Sequence, residues 1–341
     1  MNDPQSTLES QNMPSRRSQG QIVVARALWY VKRGVAEVRT ERLAPPAPGH
    51  VRIAAEYSAI SRGTERLVAF GDIPESEWSR MRSPLQVGEF SFPVKYGYSA
   101  TGVITAGPDR LIGKRAFVLH PHQDQFEVPE AMLALLPDSV PSRRGVLAAN
   151  METALNAHWD AGTTLGDRVL VIGAGIVGLL TAYLAKRIAG SDVAISDINP
   201  ARARYAEALG IPFVSASDAP KDNRIVFHAS ATSGGLEAAI DACAFEGSVI
   251  EMSWYGTQPV TVKLGGAFHA RRLKIVSSQV GHVAPSHRAS VKHSERLARA
   301  IALLGDDRLE SLVSEDIRFE DLPAELPRIW ASPDLPPIVR Y

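Results

Sequence analysis

The sequence predicts an α/β protein in which a doubly wound parallel sheet follows a strand-rich, β-barrel-like domain. Three observations predict it. From residue 167 onward, short apolar strands alternate with helical segments. Before that, residues 22–135 carry alternating β-branched runs separated by glycine and proline turns. Between strand and helix in the second part sits a glycine triplet, G-x-G-x-x-G.

The elements follow in order. The opening MNDPQSTLESQNMPSRRSQG is polar and without pattern, which predicts a disordered tail over 1–20. IVVARALWYV, EVRTERL and HVRIAAEYSAI read as strands, joined in part by the rigid APPAPG. KYGYSATGVITAG, GKRAFVLH and DQFEVP extend the strand-rich domain, bounded at 21–145. After LPDSVP, RRGVLAANMETALNAHWDAG predicts one or two helices ending at Gly162. Then DRVLVIG, DVAISD, IPFV, RIVFHAS, SVIEMS and LKIVSS read as strands, with helices in IVGLLTAYLAKRIAG, PARARYAEALG and GGLEAAIDACAF. This second domain is bounded at 146–282. Residues 283–341, with the helix VKHSERLARAIALL, are expected to complete the first domain.

Composition excludes several function classes. Apolar residues make up 45% of the 341-residue chain, and 37 basic residues balance 37 acidic ones. No basic block predicts nucleic-acid binding. No apolar run is long enough for a membrane span, and no signal-peptide pattern opens the chain, so a cytoplasmic location is expected. The single cysteine, Cys243, falls within the expected AAIDACAF helix and reads as a packed small hydrophobe. It leaves no intrachain disulfide and no cysteine-rich zinc site.

The triplet is Gly173, Gly175 and Gly178 in VLVIGAGIVG. The first glycine permits the tight turn, the second lets a pyrophosphate approach the backbone, and the third lets helix and strand pack closely. The helix amino end, with Ile176 and Val177, then faces the phosphates. Asp197 closes the next strand, 24 residues after Gly173, where a carboxylate accepts ribose hydroxyls and repels a 2′-phosphate. NAD(H) is therefore favoured over NADP(H). Arg202 or Arg204 is the alternative receiver of that phosphate, and Ile198 joins the expected contacts. Ligands bind outside the carboxyl ends of strands in such sheets. Ser230, Trp254, Tyr255, Ser278 and Gln279 stand at those ends and are expected near the cofactor. Trp254 reads alternatively as a packing residue at a domain or subunit boundary.

The strings YSAISRGTE, FPVKYGYSATGVI, VLHPHQDQFEVP, LAANMETALNAHWDAG, EMSWYG and FHARRLKIVSSQVG carry a resemblance to a known family. Over about residues 22–341 the chain resembles the medium-chain dehydrogenase/reductase superfamily, alcohol dehydrogenase-like proteins with a GroES-like β-barrel domain and a Rossmann domain. More narrowly it is similar to a zinc-lacking group. It is distantly similar to the dehydrogenases that act on the hydroxyethyl group in bacteriochlorophyll synthesis. Against that family, Ser61 stands where the cysteine ligand usually stands, Tyr98 and Ser99 replace the usual His-Glu pair, and Ala149 or Asn150 lies near the third ligand position. No zinc is expected. His120 and His122 share a face in LHPHQD but lack a third ligand, so no other metal is expected either.

Without zinc, side chains must supply what the alkoxide formed in hydride transfer requires. Tyr98 is the first candidate, with a filler of the vacated metal space as the alternative. His120, at a strand end, is the second, as a proton shuttle near neutral pH. Glu152 is the third, as a residue orienting Arg62 or His120, or simply as a helix N-terminal charge. The resemblance implies Arg62 as a pyrophosphate partner and Thr153 as a nicotinamide-side contact. A surface pair of Arg62 with Glu65 is the plainer reading.

The expected function is a zinc-independent hydride transfer between NAD(H) and an alcohol/carbonyl substrate. Two alternatives stand beside it: an NAD(P)H-dependent reductase of quinones or enones acting on C=C, and a non-catalytic nucleotide-binding or structural protein. Phe70, Trp78, Met81, Phe90 and Phe92 suit an apolar or aromatic substrate, or equally a domain core or dimer surface. The resemblance implies a homodimer.

Overall fold

The computed structural model describes residues 22–313 and 315–341. The tail expected over 1–20 lies outside the described residues. In the first domain, strands Val23–Lys32 and Val35–Leu43 form an antiparallel hairpin. Gly34, at φ 70°, makes its turn, a conformation that L side chains rarely adopt. Strand His50–Ala59 is the hub of the second sheet. It pairs antiparallel with Ala100–Ala106, Gln125–Pro129 and Ile338–Arg340. The inward residues of these strands form two apolar clusters, one around Val51, Ile53 and Phe126, the other around Leu28, Tyr30 and Phe319.

The second domain is a six-stranded parallel sheet. Across it the strands run Phe213–Val214, Asp192–Ser196, Arg168–Ile172, Asn223–His228, Cys243–Glu251, Lys274–Ser277. The first three in sequence occupy the order 3-2-1 and the last three 4-5-6, so the direction of winding reverses between Arg168–Ile172 and Asn223–His228. That reversal opens a crevice at the carboxyl ends of the two central strands. Arg168–Ile172 is buried from its second residue on, because helices cover both faces of the sheet. This is the Rossmann fold behind a GroES-like domain.

Two elements differ from expectation. Helix Ser233–Ala242 ends one residue before Cys243, which instead opens strand Cys243–Glu251. Parallel pairing with Asn223–His228 claims that backbone, and the thiol is still packed in an apolar cluster, as expected of a small hydrophobe. The carboxy-terminal region also divides. Helix His293–Ala302 and the segment to Val313 pack on the nucleotide domain, with Ala300, Ile301 and Leu304 in one cluster with Leu179 and Tyr183. Only from strand Asp316–Arg318 onward does the chain return to the first domain, later than position 283.

Candidate active site

The glycine loop shows which glycines the protein itself requires. Gly173 adopts φ 105°, and a Cβ there would stand 2.8 Å from the Ala229 carbonyl carbon. A Cβ on Gly178 would stand 1.8 Å from the Gly173 oxygen. Gly175 is different: its φ is −78°, and nothing lies within 4 Å of an added Cβ. The fold needs Gly173 and Gly178, whereas at Gly175 only a ligand needs the space. Gly178→Ala is therefore expected to unfold or strongly destabilise the domain. Gly175→Ala is expected to keep the wild-type melting temperature while weakening NADH binding by about tenfold or more, read by thermal melting and fluorescence titration. Equal melting of both variants would contradict this division.

Asp197 accepts hydrogen bonds from the Ala174 N–H at 2.7 Å and the Asn199 N–H at 2.8 Å. These bonds lock the carboxylate beside the glycine loop. Ile176 and Val177 are half-buried in the first turn of helix Ile176–Lys186, and Ile198 is 89% exposed at the crevice rim. Arg202 is 3% exposed, and its Nη1 has no hydrogen-bond partner among the described residues. Burial holds its guanidinium below the ordinary value, opposed by the Asp197 charge. Arg62 approaches from the first domain, donating to the carbonyls of Ser332 and Asp334. Burial and the Arg202 charge lower its pKa, so the two guanidiniums share one neighbourhood beside Asp197. Arg204 turns outward to Asp334 at 2.8 Å.

A second, buried group lies in the first domain. Tyr98 Oη donates to Ser61 Oγ. The Ser61 N–H donates to Glu65 Oε1 at 2.7 Å. Glu65 Oε2 accepts from Tyr30 Oη at 3.1 Å and pairs with His122 Nε2 at 2.9 Å. His122 Nδ1 meets Ser58 Oγ at 2.7 Å, and Ser58 meets Tyr341 Oη at 2.9 Å. Glu65, His122 and Ser58 are at most 1% exposed. Glu65 thus turns inward from helix Arg62–Phe70, and the surface pair with Arg62 does not form. Burial raises the Tyr98 pKa above its ordinary value, so the phenol keeps its proton at neutral pH.

Two expected catalytic residues stand elsewhere. His120 stacks on Phe126, ring centroids 3.8 Å apart, and its Nδ1 donates to the Pro121 carbonyl at 2.9 Å. Burial pushes its pKa down to about 3, so the imidazole is neutral near pH 7 and unsuited to the expected shuttle. Glu152 orients neither Arg62 nor His120. It forms a buried ion pair with Arg296 Nε at 3.0 Å, locking helix Ala148–Ala161 to helix His293–Ala302. Thr153 Oγ1 donates back to the Ala149 carbonyl at 2.9 Å.

At the strand ends, Trp254 packs against the core of the first domain, the boundary role that was its alternative. Gly256 comes so close to the Asp72 carbonyl that a Cβ would stand 2.2 Å from it. The Thr257 N–H donates to the same oxygen at 3.0 Å, so this loop clasps the two domains. Ser278 Oγ donates to Asp160 at 2.7 Å, and Gln279 lies beside Gly281. Ser230 Oγ is 2.6 Å from His228 Nε2, and Tyr255 Oη donates to Glu251 at 3.0 Å. Ser58, His228 and Glu251 carry no expectation from the sequence, and Glu65 only that of a surface partner for Arg62. His228 carried a usable signal, a polar residue ending the apolar run RIVFH. Phe90 is buried, and Phe70, Trp78 and Phe92 pack on the same cluster, which favours domain core for most of that aromatic set.

The donor set does not fit zinc. Ser61 and Tyr98 bond each other, and Ser99 Oγ donates to the Val146 carbonyl. Among the described residues no group of three or more His, Cys, Asp or Glu side chains converges to hold a metal. Nor is any helix among them long and apolar enough to cross a membrane.

Comparison with known proteins places these features. Residues 159–249 match the model of the alanine dehydrogenase/PNT C-terminal domain. The 2-desacetyl-2-hydroxyethyl bacteriochlorophyllide A dehydrogenase of Cereibacter sphaeroides is 27% identical over 262 residues, 70% of this chain and 77% of that protein. The fold is shared with the 2R,3R-butanediol dehydrogenase of Bacillus subtilis, at 18% identity and TM-score 0.72, covering 93% of this chain and 99% of that one. An alcohol dehydrogenase from Escherichia coli CFT073, complexed with NADH, superposes with TM-score 0.73 at 15% identity over 93% of this chain and 99% of its own.

Proposed function

The chain belongs to the medium-chain dehydrogenase/reductase, alcohol dehydrogenase-like family, and from that premise we propose that it is a zinc-independent oxidoreductase moving a hydride between NAD(H) and an alcohol/carbonyl substrate. The observation that carries the reading is the partly buried Tyr98–Ser61–Glu65–His122 group, in which Ser61 and Tyr98 stand where the family resemblance implies metal ligands. When bound, the nicotinamide supplies or accepts the hydride. The remaining work falls to this chain's side chains. Tyr98, protonated at neutral pH, turns its one O–H from Ser61 Oγ to the oxygen that becomes alkoxide during carbonyl reduction, and the Ser61 hydroxyl then donates to the phenol oxygen. Ser61 holds the phenol in place, and Glu65 holds the Ser61 backbone. Gly175 gives the dinucleotide backbone access, and Asp197 receives ribose hydroxyls. Arg62 and Arg202 supply positive charge toward the pyrophosphate.

The substrate is a small molecule admitted between the domains, with an apolar or aromatic body. Among the described residues strand Lys274–Ser277 pairs on one side only, and it leaves Ile275 38% exposed, which supports a homodimer joined at this sheet edge.

The test combines turnover with metal analysis. A panel of secondary, benzylic and polyol substrates is assayed with NAD⁺ and NADP⁺ before and after chelator dialysis. We expect alcohol oxidation unaffected by chelation, sub-stoichiometric zinc, and kcat/KM at least about tenfold higher with NAD⁺. Asp197→Ser should erase that preference. Activity lost to chelation and restored by zinc overturns the metal-free mechanism. Saturated ketones formed from enones, with no alcohol oxidised, move the chemistry to C=C reduction.

A further inference from the structure

A buried polar set stands at the carboxyl ends of the two strands that follow the winding reversal. His228 ends Asn223–His228, and Glu251 ends the neighbouring Cys243–Glu251, directly opposite it in register. His228 Nδ1 is 2.8 Å from Glu251 Oε2, and its Nε2 is 2.6 Å from Ser230 Oγ. The imidazole is 0% exposed, so neither nitrogen is free for another partner. Tyr255 Oη and the Ser253 N–H, at 3.0 Å and 2.8 Å, steady the carboxylate. Burial opposes its ionisation, but bonds to His228 and Ser253 hold its pKa below the ordinary value.

The surrounding backbone is shaped to this set. A Cβ on Gly235 would stand 2.1 Å from Ser230 Oγ and 2.7 Å from His228 Nε2, so helix Ser233–Ala242 carries a glycine where the hydroxyl presses against it. The Ser230 backbone nitrogen lies 2.8 Å from where a Cβ of Gly173 would be, which puts Ser230 against the nucleotide loop. A buried acid–imidazole pair is costly unless every member is bonded. Here both imidazole nitrogens are spent on orienting one half-buried serine at the crevice.

The bonding decides which way that serine faces. With Nδ1–H donated to the Glu251 carboxylate, Nε2 is an acceptor and receives a hydrogen bond from the Ser230 hydroxyl. The Ser230 oxygen then presents its lone pairs outward, one shared with Thr232 Oγ1 at 3.0 Å. We propose that Glu251 and His228 are positioning residues that fix Ser230 Oγ as the acceptor for a ribose hydroxyl of the bound nicotinamide dinucleotide. This rests on the function proposed above, and it assigns the cofactor a second hydroxyl-recognising group besides Asp197.

The experiment is a double-mutant cycle on the full chain, read by NADH fluorescence titration and steady-state kinetics. The variants are Ser230→Ala, Glu251→Gln and the pair combined. Ser230→Ala is expected to raise the NADH Kd about tenfold, with kcat at saturating NADH within about twofold of wild type. Glu251→Gln should weaken binding about three- to tenfold, and should add less than about twofold in the Ser230→Ala background. A second effect as large as the first means that Glu251 and His228 act structurally, and overturns the proposal. So does an unchanged Kd in Ser230→Ala, a variant that leaves the buried pair bonded and serves if Glu251→Gln does not fold. Wild-type protein that binds neither NADH nor NADPH defeats the underlying function, whereas normal wild-type binding with a silent Ser230→Ala defeats this inference alone.

Discussion

Tyr98→Phe is expected to lower kcat by about 10²–10³-fold while NADH affinity stays within about twofold of wild type. The substitution removes one oxygen from a half-buried ring that packs edge-on against Tyr96, with centroids 6.1 Å apart. Packing is retained, and the hydroxyl that donates to Ser61 Oγ, proposed above as the donor to the alkoxide, is lost. Because burial keeps the Tyr98 pKa above its ordinary value, the phenol works as a donor, and no rate increase from its deprotonation is expected between pH 6 and 9. An unchanged kcat in the variant would reduce Tyr98 to a packing residue. Ser61→Ala is the companion measurement. If Ser61 only holds the phenol, its removal lowers kcat less than Tyr98→Phe, and the double variant is no slower than Tyr98→Phe alone.

His122→Ala is expected to cost about 3–5 kcal/mol of folding stability, the largest effect of any single side chain in this group. Its imidazole and the Glu65 carboxyl are 2% and 1% exposed. Removing the imidazole strands a buried acid and leaves Ser58 Oγ with Tyr341 Oη as its remaining side-chain partner. Urea unfolding at pH 7.5 reads the loss. Glu65→Gln in the same background should recover part of it, because a neutral amide does not need the missing partner. A cost below about 1 kcal/mol would show that water or a shifted side chain replaces His122, and that the group is less rigid than its distances imply.

Local chemistry made the nucleotide half of the molecule legible. Gly173, Gly175, Gly178 and Asp197 lie on one continuous strand–loop–helix–strand unit, where spacing along the chain equals arrangement in space. The same holds for Gly162, which stops its helix in the left-handed conformation expected of that residue. The catalytic half was less legible. His120 and His122 are equivalent in LHPHQD, yet one stacks on Phe126 and the other pairs with Glu65, 57 positions away. The sequence offers Arg62 or His120 as partners for Glu152, but its charge is balanced by Arg296, 144 positions on. Helix periodicity across AAIDACAF likewise ran past Ala242, because pairing to a neighbouring strand is invisible to a local pattern.

What the sequence determined by itself was therefore the fold class and the glycine loop. Backbone sterics and residue chemistry act over a few positions and leave a mark at fixed spacing. Only the tertiary structure decided which polar side chains meet. Glu65 with His122, Arg62 beside Arg202, and Glu251 with His228 are brought together by sheet pairing and domain apposition. Partners for buried polar groups are chosen by that packing, because an unsatisfied group in the interior costs more than any preference written along the chain.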